Sequence, residues 1–194
     1  MRIDDTDARW RRLLELLAPV HDAAAVTARR LARSAFDGDD LLQAAVLRAF
    51  EKLPTLREPE RFRAWFYAVL LSVHRSRSRR GFWRRFLPLS GDVGFDAVGE
   101  DGALPEEERR SAGRVSRALA TLPPVQREAV VLFEIEGFSI EEIAALQGVT
   151  TSAVKSRLAR GRARLRRHYE RRHRGMATAR NPTGQRLVAE GETR

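Results

Sequence analysis

From Thr151 to Arg160 the chain holds the hydroxyls of Thr151, Ser152 and Ser156, the methyl group of Ala159 and the cations Lys155, Arg157 and Arg160, and as a helix its outward face is almost entirely basic. Hydroxyls donate and accept, Lys and Arg only donate, and a methyl group offers an apolar contact. Such groups read base edges in a groove and bind phosphate oxygens. From Thr150 to Arg174, ten residues are Lys or Arg and only Glu170 is acidic. Charge alone would fit a solvated helix in a bundle, or an RNA-binding arm, equally well.

The residues before this run narrow the choice. Ser139 with Glu142 forms an S-x-x-E capping box, and Ile140, Ile143, Ala144 and Leu146 then give a short helix one apolar face. Gly148 can take the positive φ that ends that helix, and Thr150 or Thr151 can cap the next. In the second helix Val154, Leu158 and Leu165 recur at helical spacing. A short helix, a tight turn and a longer basic helix is the arrangement that lays a recognition helix in a DNA major groove.

A second set of candidate contacts lies upstream, where Trp65, Phe66 and Tyr67 stand in a segment that becomes a basic run from His74 to Arg85. Rings interleaved with guanidinium groups suit single-stranded nucleic acid, since bases stack on rings while arginines hold phosphates. Three consecutive aromatics on one helix cannot all face one core. Phe66 belongs to the core, and Trp65 and Tyr67 are open to either role.

Other chemistries lack their residues. The chain has no cysteine, so it has no disulfide framework and no thiolate metal site. His21, His74, His168 and His173 do not fall at metal-ligand spacing, and no glycine-rich phosphate loop or nucleophile motif is present. The reading is therefore not an enzyme, with no cofactor and no metal. A net charge of +10 favours a polyanionic partner. No apolar run approaches bilayer length and the N-terminus has no signal-peptide core, so a cytoplasmic protein is expected.

The elements that would position these groups are all helical. Over residues 9–33 Leu13, Leu14, Leu16, Leu17, Val20, Ala24, Ala28 and Leu31 keep helical spacing, and Pro19 kinks or divides the segment. Asp37 to Asp40 read as a turn and cap before LLQAAVLRAFEKL, which Pro54 stops. Glu58-Pro59-Glu60 opens a third helix, in which Phe62, Phe66, Val69, Leu70 and Val73 can face a core. Residues 88–105, with four glycines, two prolines, several acids and no basic residue, read as a flexible acidic linker. Extended, they would reach roughly 60 Å. A helix over 106–121 and a proline-started helix ending at Gly137 lead into the helix-turn-helix, and the tail from Gly175 is expected to be disordered. The expectation is an all-α chain of two small bundles: 9–87, then the linker 88–105, then 106–174, with the tail 175–194.

Both halves resemble one family. Asp37, Asp39-Asp40-Leu41-Leu42-Gln43 and Leu47-Arg48-Ala49-Phe50 resemble the polymerase-clamp-binding helix of bacterial RNA polymerase sigma factors of the extracytoplasmic function (ECF) group, within the sigma-70 family. Arg61-Phe62-Arg63-Ala64-Trp65-Phe66-Tyr67 is similar to the start of that family's −10-element helix. Leu122-Pro123-Pro124, Gln126-Arg127-Glu128, Glu136 to Ser139, Glu141 to Ala144, and Val154 to Leu158 with Arg160 resemble its region four. The likeness spans residues 10–172. Ser72 and Ser76 depart from it, standing where the family usually places asparagine and aspartate, and Ala44 replaces a usual acid.

The resemblance implies a subunit that binds core polymerase, at its beta-prime clamp and beta flap, and directs initiation at promoters with −35 and −10 elements. It implies polymerase contacts at Asp40, Leu41, Leu42, Gln43, Val46, Leu47 and Arg48. It implies −10 contacts at Trp65, Tyr67, Ser72, His74, Arg75 and Arg79, with a flipped base held by the loop Leu53–Arg61, and −35 contacts at Thr151, Ser152, Lys155, Ser156, Arg157, Ala159 and Arg160. An anti-sigma partner is implied as well. The alternative is a stand-alone helix-turn-helix regulator, which leaves the segment 37–80 unexplained.

Overall fold

The computed structural model describes residues 3–32, 34–86 and 106–179, and the linker expected over 88–105 lies outside them. Among the described residues there are eight α-helices and no strand. They are α1 (Ile3–Leu17), α2 (His21–Leu31), α3 (Ala35–Lys52), α4 (Phe62–Phe86), α5 (Glu106–Ala120), α6 (Pro124–Val130), α7 (Ile140–Gln147) and α8 (Thr151–Ala179).

Prolines punctuate the chain as their fixed φ and missing N–H require. Pro19 sits in a 3-10 turn, Ala18–Val20, that separates α1 from α2. Pro54 lies in the 3-10 turn Leu53–Thr55 after α3, and Pro59 opens the turn Pro59–Arg61 that leads into α4. Pro124 is the first residue of α6.

The start of α3 corrects the expectation of a turn at Asp37 to Asp40. Ser34 caps the helix by accepting from the Asp37 N–H at 3.0 Å, so those acids occupy its first turns. Gly38 answers a packing demand there. A Cβ at this position would stand 2.6 Å from Arg29 Cα, so only glycine lets α2 and α3 approach this closely. At the far end, α8 continues to Ala179, beyond the expected boundary at Gly175. The rest of the expected tail, residues 180–194, lies outside the described residues.

α1 to α4 form one bundle and α5 to α8 another, and the two are docked. Leu13, Leu31, Leu41, Phe66 and Leu70 of the first belong to the same buried cluster as Val131, Leu132, Phe138, Ile143 and Val154 of the second. Contacts between the bundles run from α2 to α6 and to the turn Val131–Ile135, and from α4 to α7. That turn is a π-turn, closed by the Glu136 N–H on Val131 O at 3.1 Å. Gly137 follows at φ +70° and reverses the chain toward α7.

Candidate nucleic-acid interface

The start of α8 is held as its sequence demands. Ser139 Oγ accepts from the Glu142 N–H at 3.2 Å while Glu142 Oε2 accepts from the Ser139 N–H at 2.7 Å, completing the capping box. These bonds hold the Glu142 carboxyl below its usual range, the backbone N–H making the largest contribution. Gly148 takes φ +63° at the end of α7, and Thr150 Oγ1 accepts from the Ala153 N–H at 3.2 Å to cap α8. Val154 and Leu158 are buried against α6 and α7. Thr151, Ser152, Lys155, Ala159 and Arg160 therefore face solvent, and Ser156 is half-buried. Arg157 instead turns inward, donating to Gln147 Oε1 at 2.7 Å.

On the first bundle, Trp65 is half-buried and packs on Phe62 with ring centroids 5.7 Å apart. With Thr55, Leu56, Arg57, Glu58, Arg61 and Ala64 it lines an open cavity of about 270 Å³. The loop expected to hold a flipped base and the ring expected to stack against it thus share one recess.

The other −10 candidates lie elsewhere. Tyr67 has 0% exposure, and its hydroxyl donates to the Glu136 carboxylate, which also accepts from Thr27. Burial first, then that hydrogen bond, pushes the phenol well above its ordinary range. Phe138 meets the Tyr67 ring edge-on at 5.0 Å, and the Arg63 guanidinium lies 4.0 Å above Phe138 while donating to the Glu136 carbonyl. Arg75 holds Glu128, which is 1% exposed, and His74 is buried beside the same carboxylate. Tyr67, His74 and Arg75 are thus covered by the second bundle, because a buried carboxylate needs donors and α4 supplies them. Ser72 is exposed. Arg79 lies on α4, with its side chain outside the described part.

The polymerase candidates on α3 divide by helical phase. Leu41 is core, at 2% exposure, rather than surface. Asp40, Leu42 and Val46 are half-buried, and Gln43, Leu47 and Arg48 are exposed, Arg48 pairing with Glu51 at 2.6 Å. Leu47 is 52% exposed and Phe36, at the start of the same helix, 75%.

Sequence reasoning missed the acids and amides that join the bundles. Glu128 stands three and four residues before the apolar Val131 and Leu132, and an acid in such a register was the available signal for a buried partner. Arg127 donates to Leu31 O at 2.9 Å and to Leu119 O at 3.0 Å, tying the ends of α2 and α5 together. Among the described residues no group of His, Cys, Asp or Glu could hold a metal, and no helix is long and apolar enough to cross a membrane.

Comparison with known proteins agrees with this arrangement. Residues 18–84 match Sigma-70 region 2, and residues 112–165 match Sigma-70, region 4. The chain is 37% identical over 138 residues to the ECF RNA polymerase sigma factor SigM of Mycobacterium tuberculosis, covering 71% of this chain and 67% of that one. It is 34% identical over 155 residues to the ECF RNA polymerase sigma factor SigE of Mycolicibacterium smegmatis, covering 78% of this chain and 59% of the relative. Among solved structures, the sigma factor RpoE of Bartonella quintana, in complex with the anti-sigma factor NepR, superposes with a TM-score of 0.63 at 27% identity. That match covers 79% of this chain and 94% of that one.

Proposed function

Because the chain belongs to the ECF RNA polymerase sigma factors, we propose that it binds core polymerase and directs initiation at promoters bearing −35 and −10 elements. Residues 9–87 would carry the polymerase and −10 contacts, and residues 106–174 the −35 contacts. Gln43, Leu47 and Arg48, with the open Phe36, form the surface offered to the polymerase clamp; the beta flap is the second polymerase contact. Lys155 and Arg160 specify −35 bases, Thr151, Ser152, Ser156 and Ala159 shape the fit, and Arg157 is the backbone contact once it leaves Gln147.

At the −10 element the Trp65 recess takes an unstacked base, with Ser72 and Arg79 along the same helix. Unstacking costs a few kcal/mol, which stacking and pocket contacts offset. The protein supplies positioning and no catalysis of its own, and it acts in the cytoplasm. Tyr67, His74 and Arg75 reach DNA only when the bundles part. An anti-sigma partner, of the kind named with the Bartonella relative, would act by holding them together.

The recess carries this reading. A stand-alone helix-turn-helix regulator, the second reading, needs neither a base-sized cavity beside Trp65 nor an open apolar helix next to it. The test is run-off transcription with bacterial core polymerase on pooled promoter fragments. Discrete starts that require this protein, and that weaken with Trp65→Ala, are expected. Binding to duplex DNA without any protein-dependent start would favour the regulator.

A further inference from the structure

α8 carries a second basic feature beside the reader face. Arg157, Arg160, Arg164, Arg167 and Arg171 recur at i, i+3, i+7, i+10 and i+14. At 3.6 residues per turn and 1.5 Å per residue they form a stripe roughly 21 Å long within a sector of roughly 80°. Its far half, Arg164, Arg167 and Arg171, lines with Thr121 a cleft of about 280 Å³ between α8 and the turn that follows α5. No carboxylate lines that cleft.

On the opposite flank of the same helix Arg162 is paired with Glu134 at 2.6 Å, and Arg63 and Arg75 have their own acids. Among the described residues, Arg164, Arg167 and Arg171 have no ion pair, and all three are exposed. Three like charges converging on one cleft repel one another unless an anion enters. Thr121 Oγ1 already donates to Ala118 O at 2.7 Å, so the donors left in the cleft are guanidinium N–H groups, which match phosphate oxygens.

We propose that Arg164, Arg167 and Arg171 bind the phosphate backbone of duplex DNA beyond the base pairs read by Thr151 to Arg160. This inference rests on the −35 reading above and extends its footprint. A free phosphate compound would fill only the cleft, whereas the stripe continues without a break into Arg160 on the reader face. One strand presents a phosphate about every 3.4 Å of duplex axis, so a stripe of this length can follow several in succession.

The experiment uses the full chain, a duplex that it selects from a random pool, and a scrambled duplex, each titrated across a range of salt concentrations. Replacing all three arginines by glutamine should make the plot of log K against log salt shallower by about 2–3, at ~0.9 per lost phosphate contact. The loss should be equal on both duplexes, Lys at the three positions should restore the slope, and the helical signal and melting should not move. An unchanged slope overturns the proposal. Lys155→Ala keeps the two readings apart: if it abolishes the preference for the selected duplex while the triple variant keeps the parent slope, only the stripe proposal falls. If neither variant changes anything, both fall. Calorimetry with inorganic tripolyphosphate is the remaining arm. Binding lost only in the triple variant, with its DNA slope intact, would assign the cleft to free polyphosphate and overturn the DNA assignment.

Discussion

Arg75 of α4 grips Glu128 of α6 with two nitrogens, Nη2 at 2.7 Å and Nε at 3.1 Å from the same Oε2. Gln147 Nε2 donates to that oxygen at 3.3 Å, and Gln147 Oε1 accepts from Arg157 at 2.7 Å. One buried carboxylate thus links α4 to Arg157 of α8. Both arginines in this chain of contacts, Arg75 and Arg157, are occupied while the bundles are docked.

The two halves of that ion pair are not equivalent. Arg75→Ala strands a carboxylate that is 1% exposed and should cost about 3 kcal/mol of unfolding free energy. Glu128→Gln keeps the shape and leaves an arginine side chain that is 34% exposed and can turn to water, so about 1 kcal/mol is expected. Urea denaturation midpoints check the order. Equal losses would mean that the pair does not hold a buried charge.

Tyr67 gives the fold an alkaline limit. Its phenol is raised above the ordinary value of ~10 by burial and by its bond to Glu136. The folded state therefore favours the neutral form. The stability from this site is fully present below about pH 10 and is lost as pH rises beyond that. Urea midpoints at pH 8 and above pH 10 should differ more for the parent chain than for Tyr67→Phe, which has no proton to lose. The same variant should be about 1–2 kcal/mol less stable at pH 8, having lost a bond to a carboxylate.

His74 sets the acid side. Burial lowers its pKa below the ordinary ~6.5, and although Glu128 opposes this, the nearby Arg127 and Arg75 add to the lowering. The folded state therefore holds the neutral ring. Stability from this site is present above about pH 6.5 and is lost as pH falls through the folded value. Replacing His74 by Gln should flatten the pH dependence between 5 and 7 (ordinary histidine range). NMR titration of the ring should find its midpoint displaced to the acid side, and a midpoint above the ordinary value would contradict the burial.

Gly38→Ala should cost about 1–3 kcal/mol, because the new methyl group meets Arg29 at its backbone Cα and N and its side-chain Cγ, 2.6–2.8 Å away. Gly161→Ala meets only a Val130 methyl at 2.7 Å, which can give way, and should cost less. Thermal melting of the two variants compares them directly. The reverse order would mean that α2 and α3 are free to move apart.

Local rules were legible in the sequence wherever a few neighbouring residues decide the outcome. The Ser139–Glu142 box, Gly148 at φ +63°, the prolines between helices and the solvent face of α8 all depend on contacts within one or two turns. The two-bundle organisation and the exposure of Lys155 and Arg160 followed from those. Even at short range one competing signal misled: Asp37 to Asp40 has turn composition, but the Ser34 cap and the close approach of Gly38 to Arg29 settle it as helix.

What the sequence alone left undecided is which partner each amphipathic residue meets. Tyr67 could stack on a base or bury itself, and only the arrival of Glu136, 69 residues away in the chain, makes it an interior donor. Arg75 belonged equally to a basic DNA face until Glu128 arrived from 53 residues away. A side chain with both a polar end and an apolar body has no preference that local spacing can express. Tertiary structure decides it, because a carboxylate removed from water must find its donors wherever the fold brings them.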